Sequence, residues 1–125
     1  MKKIYYLKTC DTNKRILKQI KESIGKERFD LFEFQEIKTS PITAKQLEEM
    51  KQLAGSYEAL FSRRAKKYKA MDLKNQQLSE KDYKQLILED YTFLKRPVII
   101  VNDKIFIGNS KKNIENLLET LHNEK

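Results

Sequence analysis

The sequence predicts an α/β domain built on a mixed four-stranded sheet with flanking helices. Three observations carry that expectation: a strand, helix and strand at the N-terminus, a purely helical stretch over residues 41–90, and a β-hairpin with a closing helix at the C-terminus.

The apolar run Ile4-Tyr5-Tyr6-Leu7 reads as the first strand. Ile16, Leu17, Ile20 and Ile24 then recur at helical spacing until Gly25 supplies a stop. Phe29, Leu31, Phe32 and Phe34 form an aromatic-rich run suited to a strand buried on both faces. Joined in this order, the three make a parallel βαβ unit with a right-handed crossover.

In the middle stretch, Thr43 with Gln46 has the spacing of a capping box, and Leu47, Met50 and Leu53 follow at helical spacing to Gly55. A short helix is expected through Tyr57, Leu60 and Phe61. Another begins at Ser79, with Asp82 at its third position and Tyr83, Leu86 and Ile87 on its apolar face. The β-branched run Val98-Ile99-Ile100-Val101, the turn Asn102-Asp103-Lys104 and Ile105-Phe106-Ile107 then form an antiparallel hairpin ending at Gly108. The closing helix presents Ile114, Leu117, Leu118 and Leu121 on one face.

Composition bounds the function. With 125 residues, 39% hydrophobic and 35% charged, the chain has the size and make-up of one soluble globular domain. The net charge of +8, from 26 basic against 18 acidic residues, is spread along the chain and mixed with acids, a solvated surface more than the clustered footprint of a nucleic-acid binder. Only the run Arg63-Arg64-Ala65-Lys66-Lys67-Tyr68-Lys69 concentrates basic residues. Met1-Lys2-Lys3 precedes four apolar residues, too short a run for a signal peptide or a membrane span. A single cysteine excludes an internal disulfide and a multi-cysteine metal site, which points to the reducing cytoplasm. No ligand set for a metal or a bound cofactor is expected, and His122 sits near a polar tail where solvent exposure is the simpler reading.

That cysteine, Cys10, falls between the first strand and the helix opened by Asp11-Thr12-Asn13-Lys14-Arg15. Unpaired N–H groups and the helix dipole favour a thiolate at such a junction. The bland alternative is a small buried hydrophobe. Lys14 and Arg15 oppose the dipole at roughly 0.3–1 kcal/mol each unless an anion lies beside them or water solvates them.

Three features in this order resemble the arsenate reductase ArsC and Spx family, which has a thioredoxin-like fold: Cys10 after the first strand, the helical middle stretch, and Leu94-Lys95-Arg96-Pro97 directly before the next strand. The stretch from Phe61 to Leu73, with Arg63-Arg64 and Tyr68, adds to the resemblance, which spans nearly the whole chain. It implies one thioredoxin-fold domain over 1–125, with residues 1–40 and 91–125 as its core and 41–90 as a helical insertion.

The resemblance also implies thiol chemistry on Cys10, a cis Pro97 beside it, and Arg96 facing an anion site, with Arg64, Arg63, Arg15 and Asn109 as further anion-binding candidates. A guanidinium suits that role because it offers paired hydrogen bonds to an oxyanion. Two departures narrow the reading. Counting back from Tyr68, the arsenate-reducing pattern puts its arginine at Ser62, whereas Arg64 fits the Spx-like and related pattern. The family's third arginine is replaced within Ile107-Gly108-Asn109-Ser110-Lys111, where Asn109 donates hydrogen bonds without charge and Lys111 or Lys112 could compensate; the lost charged bond is worth about 1.5–3 kcal/mol.

Many Spx regulators carry a second cysteine three residues after the first, but Asn13 stands there, so no internal CxxC switch can form. The expectation is a one-cysteine, arsenate reductase-like enzyme acting on an oxyanion or disulfide. Glutathione would be its co-substrate, with glutathione or glutaredoxin as the external reductant. The alternative is a non-catalytic Spx-like regulator that binds RNA polymerase.

Overall fold

The computed structural model describes residues 1–124. They divide into two compact units, one of residues 1–40 with 96–124 and one of residues 41–95.

The first unit holds a four-stranded mixed sheet. Its strands are β1 (Lys2–Tyr6), β2 (Glu33–Glu36), β3 (Val98–Val101) and β4 (Lys104–Ile107), in the spatial order β2-β1-β3-β4. β1 runs parallel to β2 and antiparallel to β3, which pairs antiparallel with β4. β3 is buried along its whole length, as its unbroken β-branched run requires of an inner strand. Asn102 takes the left-handed φ of 58° in the two-residue turn to β4, a conformation that asparagine tolerates.

Helices α1 (Asp11–Ile24) and α6 (Lys111–Asn123) cover one face of this sheet. Ile16 and Ile20 of α1 meet Ile114, Leu117 and Leu121 of α6 over Ile4, Ile99 and Phe106. Gly25, at φ 89°, ends α1 and donates its N–H to Lys21 O at 2.8 Å.

The aromatic run differs from the expected doubly buried strand. Its first part is the short helix α2 (Lys26–Phe29), and β2 starts only at Glu33. β2 is an edge strand, with Phe34 38% and Leu31 73% exposed, and only Phe32 of the run is buried. Phe29 instead packs on Phe34 at 5.0 Å between ring centres, and Tyr6 meets Phe34 edge-on at 6.3 Å.

The second unit is helical: α3 (Ala44–Ala54), α4 (Lys66–Ala70) and α5 (Glu80–Glu89), with short 3₁₀ turns at Glu58–Leu60, Leu73–Asn75 and Tyr91–Phe93. Both capping boxes form, Thr43 with Gln46 and Ser79 with Asp82. The helix expected through Tyr57 to Phe61 is a single 3₁₀ turn. Phe61 lies at the centre of an aromatic cluster, stacked on Phe93 at 5.2 Å and tilted against Tyr83 and Tyr68. Residues 91–95 belong to this unit, whereas the sequence reading put them in the core. Lys95 N donates to Leu60 O at 2.9 Å, Ser62 N donates to Phe93 O at 2.7 Å, and Phe61 bridges to Leu94. Among the described residues no helix is long and apolar enough to cross a membrane.

Asp90 ties α4 to the 3₁₀ turn that follows α5. Burial pushes its carboxyl up, but hydrogen bonds from Lys67 at 2.7 Å and from the Thr92 hydroxyl and N–H outweigh that and hold it at about 2. A folded-state value below the unfolded one of about 3.9 stabilises above that pH, and the gain is lost as pH falls from about 4 towards 2. Since Lys67 is 61% exposed, the screened contribution at neutral pH is about 1–2 kcal/mol. Asp90→Asn should lower stability at pH 7 by about that amount and flatten the acid limb of a urea-denaturation series. An unchanged acid limb would rule the interaction out as a stabiliser.

Candidate functional site

Cys10 is the N-cap of α1, with extended φ/ψ of −91° and 116°. Its N–H donates to Leu7 O at 3.1 Å, closing the turn out of β1, and its carbonyl accepts from Lys14 N at 3.0 Å. The thiol is half-buried, and it makes none of the capping hydrogen bonds that Ser or Asp would make there. The first-turn N–H groups of α1, which have no intrahelical acceptors, therefore lack an N-cap side chain at the sulfur's own position.

Asn13 engages both ends of its amide around this turn. It is 1% exposed; its Oδ1 accepts from Leu7 N at 2.9 Å and its Nδ2 donates to Cys10 Sγ at 3.5 Å. The first contact satisfies a buried backbone donor at the end of β1. The second aims a hydrogen-bond donor at the sulfur.

Sheet register places the other first-unit candidates at the same end of the sheet. Tyr5 pairs with Val98, so Pro97 follows opposite Tyr6 and Arg96 opposite Leu7, at the start of the Cys10 turn. The Arg96–Pro97 peptide bond is cis. On the other side Val98 pairs with Ile107, and Gly108 N donates to Pro97 O at 2.8 Å, which carries Asn109 to the level of Arg96. Helix α6 begins here too: the Ser110 hydroxyl accepts from Asn113 N at 3.1 Å, and Asn113 Nδ2 donates to Gly108 O at 2.8 Å. Two long helices thus start where β1 and β4 end, and each start brings partial positive charge. Lys111 and Lys112 lie exposed in the first turn of α6. This end of the sheet is suited to an anion.

The remaining candidates stand differently. Arg15 is exposed on α1 and has no ion pair among the described residues. Arg63, in the helical unit, is engaged with Glu58 at 2.8 Å and with the Tyr83 hydroxyl at 3.1 Å, its guanidinium lying over the Phe61 and Tyr83 rings. Arg64 is exposed, its own N–H donating to the Ser62 hydroxyl at 3.3 Å, and its guanidinium has no ion pair among the described residues. Of the two neighbours, Arg64 is the one available to an external anion. His122 is exposed and hydrogen-bonded to the Ser23 hydroxyl at 2.8 Å.

Glu36 went unnoticed in the sequence because it reads there as one more polar strand residue. Its carboxylate accepts from Lys8 N at 2.9 Å, from Lys38 N at 2.9 Å, and from Thr39 N at 2.8 Å and Oγ1 at 3.0 Å. Burial pushes its pKa up, but these hydrogen bonds outweigh it, and the net direction is down. The side chain thereby pins Lys8, two residues before Cys10. Glu36→Gln should cost about 1 kcal/mol. It should also speed amide exchange selectively at Lys8, Lys38 and Thr39, as measured by NMR; uniform protection across the chain would contradict the pinning role.

Comparison with known proteins agrees with this architecture. The fold matches a Staphylococcus aureus protein solved by NMR at 28% identity and a TM-score of 0.73, covering 93% of this chain and 97% of that one. It also matches an arsenate reductase from Vibrio cholerae, at 18% identity and a TM-score of 0.73, over 94% and 95% of the two chains. An arsenate reductase-related protein from Brucella melitensis aligns at 20% identity and a TM-score of 0.69, over 92% of each chain. No curated protein matches in sequence. The model of the ArsC family aligns with residues 5–117, nearly the full length, and the chain belongs to the ArsC family.

Proposed function

We propose that the protein is a thiol-dependent oxidoreductase of the arsenate reductase type in which Cys10 is the nucleophile. The observation that carries this reading is the convergence on one end of the sheet of the Cys10 thiol with its Asn13 donor, the cis Arg96–Pro97 peptide and the start of α6.

With a disulfide substrate, the Cys10 thiolate attacks one sulfur, a mixed disulfide forms, and the other sulfur leaves as a thiolate. With arsenate, the thiolate displaces an oxygen as water to give a thiol ester of As(V). Attack of an external thiol on the Cys10 sulfur then releases arsenite and leaves a mixed disulfide, the two sulfurs supplying both electrons. A second external thiol, glutathione or glutaredoxin, returns Cys10 to the thiol. Arg96 is the proposed counter-charge for the oxyanion, with Asn109 and the start of α6 in place of a third arginine. A reducing compartment such as the cytoplasm suits a lone thiol that must stay available.

Intact-mass spectrometry after exposure to oxidised glutathione, and separately to arsenate with reduced glutathione, tests the reading. A stoichiometric glutathione adduct under the first condition supports a thiol reductase. Arsenite production under the second extends it to arsenate. Failure of both would overturn the enzyme reading and favour a non-catalytic, Spx-like module.

A further inference from the structure

The α1 side of the sheet edge carries an apolar groove that the Cys10 chemistry does not use. Tyr6, Leu17, Phe29 and Phe34 line a volume of about 530 Å³ between α1 and β2. Phe34 is 38% exposed, and the other three are only partly buried. β2 has no strand beyond it, and Phe34 stays 38% exposed although Phe29 and Tyr6 pack against it, so this surface remains open to a partner.

One wall of the groove is strongly basic. Lys14, Lys18 and Lys21 line it from α1. Lys14 and Lys21 have no acidic partner within 4 Å among the described residues, and Lys18 reaches only Glu22 at 3.9 Å, both side chains being largely exposed. Positions four and three apart on a helix share a face, so the three ammonium groups form a row roughly 10 Å long beside the apolar floor.

We infer that this groove is a docking site for an acidic amphipathic segment of a partner protein, its apolar side chains on the floor and its carboxylates along the lysine row. Charge complementarity selects that occupant. A second copy of a chain with net charge +8 would bring a second lysine row against the first, which like-charge repulsion disfavours. A helical segment with carboxylates at spacings of four and three matches the lysine row turn for turn.

The test uses the full chain and two fluorescein-labelled 15-residue peptides. Both carry leucine at positions i, i+3, i+4 and i+7 of an amphipathic helix; one is flanked by glutamates and the other by lysines. The glutamate peptide should bind saturably by anisotropy, at least tenfold more tightly than the lysine peptide, and should weaken as salt is raised. Lys18→Glu with Lys21→Glu should reduce that affinity at least fivefold, as should Phe34→Ser, an edge substitution at a partly exposed site. Cys10→Ser should leave it unchanged, which separates this inference from the proposed enzymatic role. Equal binding of the two peptides, or binding indifferent to the double charge reversal, would overturn it. So would a concentration-dependent dimer abolished by Phe34→Ser, which would give the groove to a second copy. Sedimentation with phosphatidylserine vesicles that depends on the same lysines, without saturable peptide binding, would give it to a lipid surface.

Discussion

Cys10→Ser should abolish adduct formation and turnover while making the protein slightly more stable. Serine oxygen cannot form a mixed disulfide, so the glutathione adduct should vanish entirely from the intact mass; with one cysteine in the chain, no second thiol can mask the result. The stability gain follows from the N-cap. Cys10 makes no capping bond, whereas a serine there can accept from a first-turn N–H and still receive the Asn13 donor, which is worth about 0.5–1 kcal/mol. A residue that lowers stability where a better one exists is what a reactive site held against a stability optimum would show. Chemical denaturation and mass spectrometry of the same variant read both effects. If the serine variant is destabilised by more than about 1 kcal/mol and the wild type forms no adduct, Cys10 is a packing residue and the catalytic proposal fails.

What the sequence made legible was mostly local chemistry. The capping boxes at Thr43 and Ser79 form because Gln46 and Asp82 lie within reach along one turn, and the run Val98–Val101 becomes an inner strand because it has no polar face to give to water. The errors came where a non-local partner decides. Residues 91–95 join the helical unit through Leu60 to Ser62, some thirty residues earlier, and nothing in their own pattern announces that pairing. The composition of the aromatic run at 29–34 suits a doubly buried core strand. Its rings satisfy one another at the sheet edge instead. In the site, Cys10, Arg96 and Pro97 stood out through spacing and resemblance, which report on backbone order. The contacts of Asn13 and Glu36 depend on where side-chain atoms point after the loop has folded, and no spacing rule carries that.

Asn13 gives the second large expected effect, and its two amide ends can be tested apart. Asn13→Ala removes the acceptor that satisfies the buried Leu7 N–H together with the donor to Cys10 Sγ, and should destabilise the fold by about 1–3 kcal/mol. Asn13→Asp keeps an oxygen for the Leu7 N–H but replaces the donor at the sulfur with a carboxylate. A negative charge at that distance opposes the thiolate, so iodoacetamide alkylation of Cys10 at neutral pH should slow by about tenfold or more. The Leu7 amide should meanwhile retain its hydrogen-exchange protection. Raising the pH should recover the lost rate in Asn13→Asp, since like-charge repulsion delays ionisation without blocking access. An alkylation rate that stays low at high pH would mean the substitution had closed the site sterically. A rate equal to wild type at every pH would mean that the Nδ2 contact does not bear on the sulfur's ionisation, leaving Asn13 with the single role of closing the turn between β1 and α1.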